Sequence, residues 1–198
     1  YIAALAANQR LQDAAQLAII IRDEKAPELL LEQIVLTDKL SRGILTGNEV
    51  SAALSRFPED LQIVYIAAMF ALSQGDYAAA RERAQASMCI DDTKVPMQLI
   101  YLFALEGLGA KDELATAFKQ FRTKLPDDAN LARAYLTHCA RHQKIDELEA
   151  LRKESDSKTT PDFQAIAQYA EAELAWKRQD LPAMIAALQK AIALKTVN

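Results

Sequence analysis

Apolar residues recur along much of the chain at the spacing of one helix face. The clearest run lies between residues 61 and 90, where two such stripes follow each other. The apolar positions are Leu61, Val64, Tyr65, Ala68, Phe70, Ala71 and Leu72, then Tyr77, Ala80, Ala84 and Met88. Spacings of three and four residues predict amphipathic helices whose apolar sides need a neighbouring helix. One helical hairpin cannot cover both of its faces, so the pattern predicts hairpins that stack against each other.

Short turn sequences interrupt the helical pattern at regular intervals. Gly75-Asp76-Tyr77 has counterparts at Gly109-Ala110-Lys111 and Gln143-Lys144-Ile145, a period of 34 residues, and Gln179-Asp180-Leu181 follows 36 residues later. Upstream, Ser41-Arg42-Gly43 continues the series. The first five prolines recur at a similar period, and proline is tolerated at helix starts and disruptive in helix interiors. The sequence therefore predicts a helical repeat.

Each turn lies between a first and a second predicted helix. The predicted pairs are Tyr1–Ala7 with Leu11–Arg22, Pro27–Leu40 with Asn48–Arg56, Glu59–Ser73 with Tyr77–Ile90, Pro96–Leu108 with Lys111–Lys124, Asp128–His142 with Ile145–Glu154, and Asp162–Arg178 with Leu181–Leu194.

The period and the residues at matched positions resemble those of tetratricopeptide repeats. That family places small residues on both helices, a Gly-Asp/Asn-Tyr turn between them and a closing proline. The matching residues are Ala68, Gly75-Asp76-Tyr77, Ala80 and Ala84 in residues 61–94; Gly109, Leu114, Phe118 and Pro126 in residues 95–128; and Ala172, Asp180-Leu181, Leu188 and Ala191 in residues 165–198. The first, second and fifth repeats are degenerate, with Leu136 and Arg152 departing from the pattern in the fifth.

The resemblance implies an all-α fold, a right-handed α-α superhelix of about six hairpins in one domain. We expect repeats at residues 1–26, 27–60, 61–94, 95–128, 129–164 and 165–198, the first of them truncated. Tyr1 is not an initiator methionine and lies inside a helical pattern, so we expect the chain to be a fragment of a longer one. Related helical-repeat families with similar hairpins are the alternative.

In tetratricopeptide repeats the first helices line a concave groove, and the resemblance implies that a ligand binds there. The matching candidates are Tyr65, Met69, Leu99, Phe103, Arg133, Thr137, Arg141, Tyr169, Glu173 and Trp176. Such a groove would be apolar and aromatic at one end, with an arginine pair beside it. This composition suits a peptide or helix with apolar anchors and some acidic character. The alternative for Tyr65, Leu99 and Phe103 is a place in the core.

The resemblance favours a non-catalytic protein-interaction scaffold or adaptor. The alternatives are a regulatory domain that binds a short peptide or small ligand, which a closed pocket near Trp176 would favour, and a helical domain appended to an enzyme. Family members that clamp a chaperone's terminal carboxylate use Lys, Asn and Arg on successive first helices. The matching positions here hold Tyr65 and Met69, then Leu99 and Phe103, which argues against that role.

Composition and charge restrict the classes of fold and of binding partner that we expect. With 51% hydrophobic residues the chain can bury a core, and 5 glycines are few for the many turns of an all-β protein. A net charge of −4 without a basic run argues against nucleic acid as a partner. No apolar stretch approaches the roughly 18 residues of a membrane span. The sequence does not distinguish a cytoplasmic from a periplasmic location.

Candidate chemistry is sparse, and we expect no enzyme activity, cofactor or metal. His138 and His142 stand four apart on one predicted helix face, a spacing that suits Zn²⁺, with Asp146 or Glu147 as a conceivable third ligand. The alternative, which we favour, is two histidines near a helix end. Cys89 and Cys139 lie two hairpins apart, too far for a disulfide in a stack of repeats, so we expect two free thiols.

The last predicted helix, Leu181–Leu194, has an apolar side that no later predicted helix covers. Met184, Ile185, Leu188, Ile192 and Leu194 form its apolar side. Stacked repeats usually end in a polar capping helix. We therefore expect either that the chain continues or that this helix pairs with a second copy in a homodimer.

Overall fold

The structure, a computed structural model, describes residues 12–16 and 28–195, and within these ranges it contains helices and no β-strand. Residues 12–16 are helical, and the rest of the predicted first hairpin lies outside the described residues. Between residues 28 and 195 the helices are α1 (Glu28–Ser41), α2 (Gly47–Arg56), α3 (Leu61–Ser73), α4 (Tyr77–Ile90), α5 (Val95–Gly107), α6 (Lys111–Lys124), α7 (Ala129–Arg141), α8 (Ile145–Asp156), α9 (Pro161–Lys177) and α10 (Leu181–Lys195).

Helix α1 packs against α2, α3 against α4, α7 against α8 and α9 against α10, and each of these is a predicted pair of first and second helices. For the ten helices between residues 28 and 195, the predicted bounds hold to within two residues. The all-α hairpin architecture is therefore confirmed. The chain forms two compact units, Tyr1–Leu114 and Ala115–Asn198, and the boundary between them falls inside α6.

In the first compact unit, α3 is the helix that the others share. It packs against α1, α2, α4 and α5, and α4 also packs against α5. The core between α2 and α3 includes Val50, Ala53, Ile63 and Ile66, all of which are buried. The predicted close-contact alanines Ala68, Ala80 and Ala84 have no exposed surface, because small residues let the helix backbones approach each other.

In the second compact unit, α9 takes the same central place and packs against α7, α8 and α10. Its core brings together residues from three helices: Leu136 and Cys139 of α7, Leu148 and Leu151 of α8, and Ile166 of α9. Helices α7 and α9, which are both first helices, thus lie side by side, and α8 packs against both of them. This packing repeats the arrangement of the first unit with different side chains.

The predicted turns share one backbone feature. The second residue after each first helix adopts a left-handed conformation: Gly43 (φ 67°), Gly75 (φ 73°), Gly109 (φ 68°), Gln143 (φ 55°) and Gln179 (φ 61°). Glycine reaches this region at no steric cost, whereas Gln143 and Gln179 adopt it with a Cβ. The second helix then starts beside the first, as at Asp76, whose carboxylate accepts a hydrogen bond from the Ala79 amide at 3.0 Å.

Candidate functional site

Five of the ten predicted groove residues line one groove in the second compact unit. Arg133, Thr137 and Arg141 come from α7, and Tyr169 and Glu173 from α9. The groove has a volume of about 570 Å³, and its remaining lining residues are Leu136, Ala140, Ala172 and Leu188. That these residues bind a partner stays a prediction.

Helix geometry explains why these five side chains meet. Arg133, Thr137 and Arg141 are spaced by four, as are Tyr169 and Glu173, so each set lies along one face of its helix. Helices α7 and α9 pack directly against each other, which brings the two faces into a common surface. Asp128 sets the start of α7, because its carboxylate accepts hydrogen bonds from the amides of Asn130 and Leu131, both at 2.9 Å.

The polar rim of the groove contains both positively and negatively charged side chains. Arg133 forms an ion pair with Asp162 and donates a hydrogen bond to the Asn130 side-chain oxygen at 3.1 Å, so its guanidinium is held toward the start of α9. Arg141 lies exposed at the other end of the α7 row, and Glu173 is half-buried on α9. A bound chain would therefore meet cationic and anionic groups in a defined order.

The floor of the groove is apolar and firmly supported. Leu136 and Ala172 are buried, and Tyr169 packs against the core of the unit while part of its ring remains accessible. Burying an aliphatic or aromatic side chain on such a floor contributes about 1.5 to 3 kcal/mol. The arrangement can hold one apolar side chain, with a charged group beside it for orientation.

The other predicted groove residues are not brought into this groove. Tyr65 lines a different pocket of about 290 Å³ in the first unit, together with Leu61, Gln62, Ser87, Lys94, Pro96 and Met97. Its ring also packs against the core of that unit, in line with the alternative stated for it above. Met69 and Leu99 are half-buried, and Phe103 is 47% exposed. Trp176 is 55% exposed one turn beyond Glu173 and does not line the groove.

A second pocket in the same unit was not predicted from the sequence. We call it the α6–α8 pocket; it measures about 450 Å³ and is lined by Ala115, Phe118, Lys119, Arg122, Thr123, Tyr135, His138, Lys144, Glu147 and Glu154. Its aromatic floor consists of Phe118, Tyr135 and His138, with the Phe118 ring centroid 5.2 Å from that of Tyr135 and 5.0 Å from that of His138. The Arg122 guanidinium lies 4.4 Å from the Tyr135 ring centroid and forms an ion pair with Glu154.

Burial controls protonation at the floor of this pocket. It raises the pKa of the Tyr135 phenol far above its ordinary value, and Cys139 and Glu147 add to the shift. Burial also raises the pKa of the Cys139 thiol to about 12, helped by Glu147, whose carboxylate accepts from the Cys139 Sγ at 3.5 Å. Burial opposes ionisation of Glu147, but hydrogen bonds from Lys144, Cys139 and Tyr135 outweigh it and lower the Glu147 pKa. Cys139 is thus a protonated thiol at neutral pH, not a nucleophile.

The residues considered above as zinc ligands differ in their burial and in their contacts. His138 is buried and His142 exposed, with their ring centroids 4.6 Å apart. Glu147, considered above as a third ligand, is engaged with Lys144 at 3.2 Å and with Cys139. Asp146, the other residue considered, is exposed in the first turn of α8.

Among the helices that the structure describes, none combines the length and the apolar character needed to cross a bilayer.

No protein-family model matches the chain, and no curated protein is detectably similar to it in sequence. Among solved structures, the chain is similar to a tetratricopeptide repeat protein from Parabacteroides merdae, known from a crystal structure. The TM-score is 0.69 at 14% sequence identity, and the match covers 96% of this chain and 74% of that one. A likeness at this identity concerns the fold, and the fold is the one that the repeat pattern predicted.

Proposed function

Because the chain has the tetratricopeptide-repeat fold, we propose that it is a non-catalytic interaction scaffold that binds a protein or peptide in the α7–α9 groove. The observation that carries this proposal is the meeting of Arg133, Thr137, Arg141, Tyr169 and Glu173 around one groove. The fold supports a role in protein interaction in general. The groove is the surface that we propose for binding the partner.

The lining of the groove indicates the chemistry of the bound segment. The floor of Leu136, Ala140 and Ala172 favours an aliphatic or aromatic anchor. Both Arg133 and Arg141 line the groove, and Arg141 is exposed whereas Arg133 is half-buried, so we assign Arg141 to an acidic residue of the ligand. Glu173 disfavours a second acidic residue on the α9 side, because like charges in a partly desolvated groove repel. We therefore propose a peptide segment with an apolar anchor and one acidic residue on its Arg141 side.

A displayed library of random peptides, panned against the folded chain, tests this function. We expect the enriched sequences to combine an apolar anchor with an acidic residue. Their affinity should fall at least about tenfold for Arg141→Glu, which reverses the charge at the groove end. Isothermal titration calorimetry with a synthetic copy of an enriched peptide provides the measurement.

The matched control is Lys153→Glu, which makes the same charge change at an exposed position of α8 outside the groove lining. Enriched peptides should bind this variant as they bind the parent. Peptides that lose equal affinity for both variants respond to net charge alone, and peptides unaffected by Arg141→Glu bind elsewhere. Either result contradicts the proposed groove.

The α6–α8 pocket favours a second candidate, the binding of a small ligand. Its aromatic floor and its rim of Lys119, Arg122 and Glu154 suit a compact molecule with a flat ring and a charged group. Trp176, beside which a closed pocket would have favoured this alternative, does not line the α6–α8 pocket. A fragment screen by NMR, repeated on Lys119→Glu, distinguishes the two sites because Lys119 does not line the peptide groove.

A further inference from the structure

The two carboxylates that line the α6–α8 pocket are both engaged by cationic side chains of the protein. Glu154 forms ion pairs with Arg122 and, at 3.8 Å, with Lys158. Glu147 forms an ion pair with Lys144 at 3.2 Å. A cationic ligand would have to displace one of these contacts before it could reach a carboxylate, and the displaced side chain would lose its partner. The pocket therefore disfavours a positively charged ligand.

Lys119 is the exception among the charged residues of the lining. It is exposed at the rim, and within the part of the chain that the structure describes its ammonium forms no ion pair. Ala115 and Thr123 stand four residues before and after it, so all three lie on the face of α6 that lines the pocket. The lining contains three cationic side chains and two carboxylates, which leaves one positive charge unbalanced. An anionic ligand can pair with Lys119 without displacing an existing contact.

The floor of the pocket suits a flat ring beside this charge. Phe118 and His138 are buried, whereas Tyr135 is half-buried and is the most accessible of the three rings. The Tyr135 and His138 ring planes are 22° apart, with their centroids separated by 6.4 Å. Burial raises the pKa of the Tyr135 phenol, so this ring adds no negative charge at neutral pH. Aromatic rings in offset or edge-to-face contact attract each other beyond the effect of their buried area.

The volume of about 450 Å³ lies within the range of small-molecule sites. From the engaged carboxylates, the unpaired Lys119 and the aromatic floor, we propose that the α6–α8 pocket binds a small aromatic carboxylate. Its ring packs on Tyr135 and its carboxylate pairs with Lys119. This inference rests on the second candidate function above. It is independent of peptide binding, because the pocket and the α7–α9 groove share no lining residue.

Three probes with the same ring system and different charges test the proposed ligand class. They are naphthoate, the neutral naphthalenemethanol and the cationic naphthalenemethylammonium. NMR titration of the isotope-labelled chain, followed at the amides of Lys119 and Tyr135, measures the affinity of each probe at this pocket. We expect naphthoate to bind at least about threefold more tightly than the neutral probe, and the cation to bind most weakly.

A saturated analogue tests the role of the aromatic floor without altering the protein. Decahydronaphthoate has the carboxylate and a ring system of similar size but no aromatic ring. We expect it to bind at least about twofold more weakly than naphthoate, because it loses the contact between aromatic rings. Equal affinity for the two carboxylates would overturn the assignment of an aromatic ligand.

Lys119→Glu tests the residue assigned to the carboxylate. We expect this variant to bind naphthoate at least about fivefold more weakly than the parent chain and to bind the cationic probe more tightly. The matched control is Lys153→Glu, which makes the same charge change at an exposed position of α8 outside the pocket lining. It should bind all probes as the parent does. Circular dichroism melts verify that both variants are folded.

The outcomes separate this inference from the function on which it rests. If no probe binds at the pocket, both the ligand class and the small-ligand function are wrong. If the three charged and neutral probes bind there with equal affinity, the small-ligand function stands and the carboxylate assignment is wrong. If Lys119→Glu and Lys153→Glu weaken naphthoate binding equally, the probe responds to net charge, and the role of Lys119 is refuted.

Discussion

The ring of Tyr77, at the start of α4, lies so close to Gly107 at the end of α5 that a Cβ on Gly107 would overlap three ring carbons. Gly107 has no left-handed backbone, so the ring alone excludes a side chain there. Tyr77 is also the tyrosine of the Gly-Asp-Tyr turn. The contact shows that this residue joins two successive hairpins and does not only end the turn.

We expect Gly107→Ala to destabilise the chain by about 1 to 3 kcal/mol, because the added methyl displaces the Tyr77 ring. Urea denaturation followed by circular dichroism measures this change. In a Tyr77→Ala background the clash is absent, and the same substitution should instead stabilise the chain by about 0.5 to 1 kcal/mol through higher helix propensity. A loss of equal size in both backgrounds would show that the ring contact is not the cause.

The two glutamines in left-handed turns provide a second prediction. Gln143→Gly and Gln179→Gly should each stabilise the chain by about 0.5 to 1 kcal/mol, because glycine adopts positive φ without the Cβ penalty. Gly75→Ala should have the opposite sign and a similar size, since nothing lies within 4 Å of its Cβ position and only the backbone conformation is at issue. Thermal melts of the three variants measure the signs, and a destabilised Gln143→Gly variant would contradict this account.

The two cysteines should differ sharply in reactivity. Cys89 is exposed, while Cys139 is buried with a thiol pKa raised to about 12. A thiol reagent such as Ellman's reagent should therefore titrate one thiol in the folded chain and two in denaturant. Cys89→Ser should remove the fast reaction altogether. If a second thiol reacted rapidly in the native state, the core around Cys139 would have to open readily.

A hydrogen bond between Tyr101 and Glu113 should affect stability as pH changes. The Tyr101 hydroxyl donates to Glu113 at 2.5 Å and Arg81 lies 2.8 Å from the same carboxylate, and these contacts lower the Glu113 pKa below its ordinary 4.5. The folded state therefore favours ionised Glu113, and this stabilisation is present at neutral pH and lost as pH falls below 4.5.

We expect Tyr101→Phe to cost about 1 to 2 kcal/mol at neutral pH and less at about pH 3.5, because the stabilisation from ionised Glu113 is lost as the pH falls below 4.5. Urea denaturation at the two pH values measures the difference. A cost that does not change with pH would mean that the hydroxyl acts through another contact.

The candidate site was only partly accessible to sequence reasoning. Arg133, Thr137, Arg141, Tyr169 and Glu173 were found because spacing along a helix and the family pattern both place them on first-helix faces. Trp176 lies one turn beyond Glu173 and outside the groove, since periodicity indicates a face but not how far along it a groove extends. The α6–α8 pocket escaped prediction because its lining comes from three helices, and no one of them carries a motif for it.

The sequence alone determined which segments are helical, where they turn and which faces are apolar, since these properties depend on neighbours within one or two turns. Even Gln143 and Gln179 were placed at turns by their spacing, although their composition gives no left-handed signal. The tertiary structure decided which faces meet: it brought Arg133 and Tyr169 around one groove, and it raised the pKa of the Cys139 thiol by burial. It also left Ile185 and Ile192 exposed. Those outcomes depend on packing between residues distant in the chain, which periodicity does not specify.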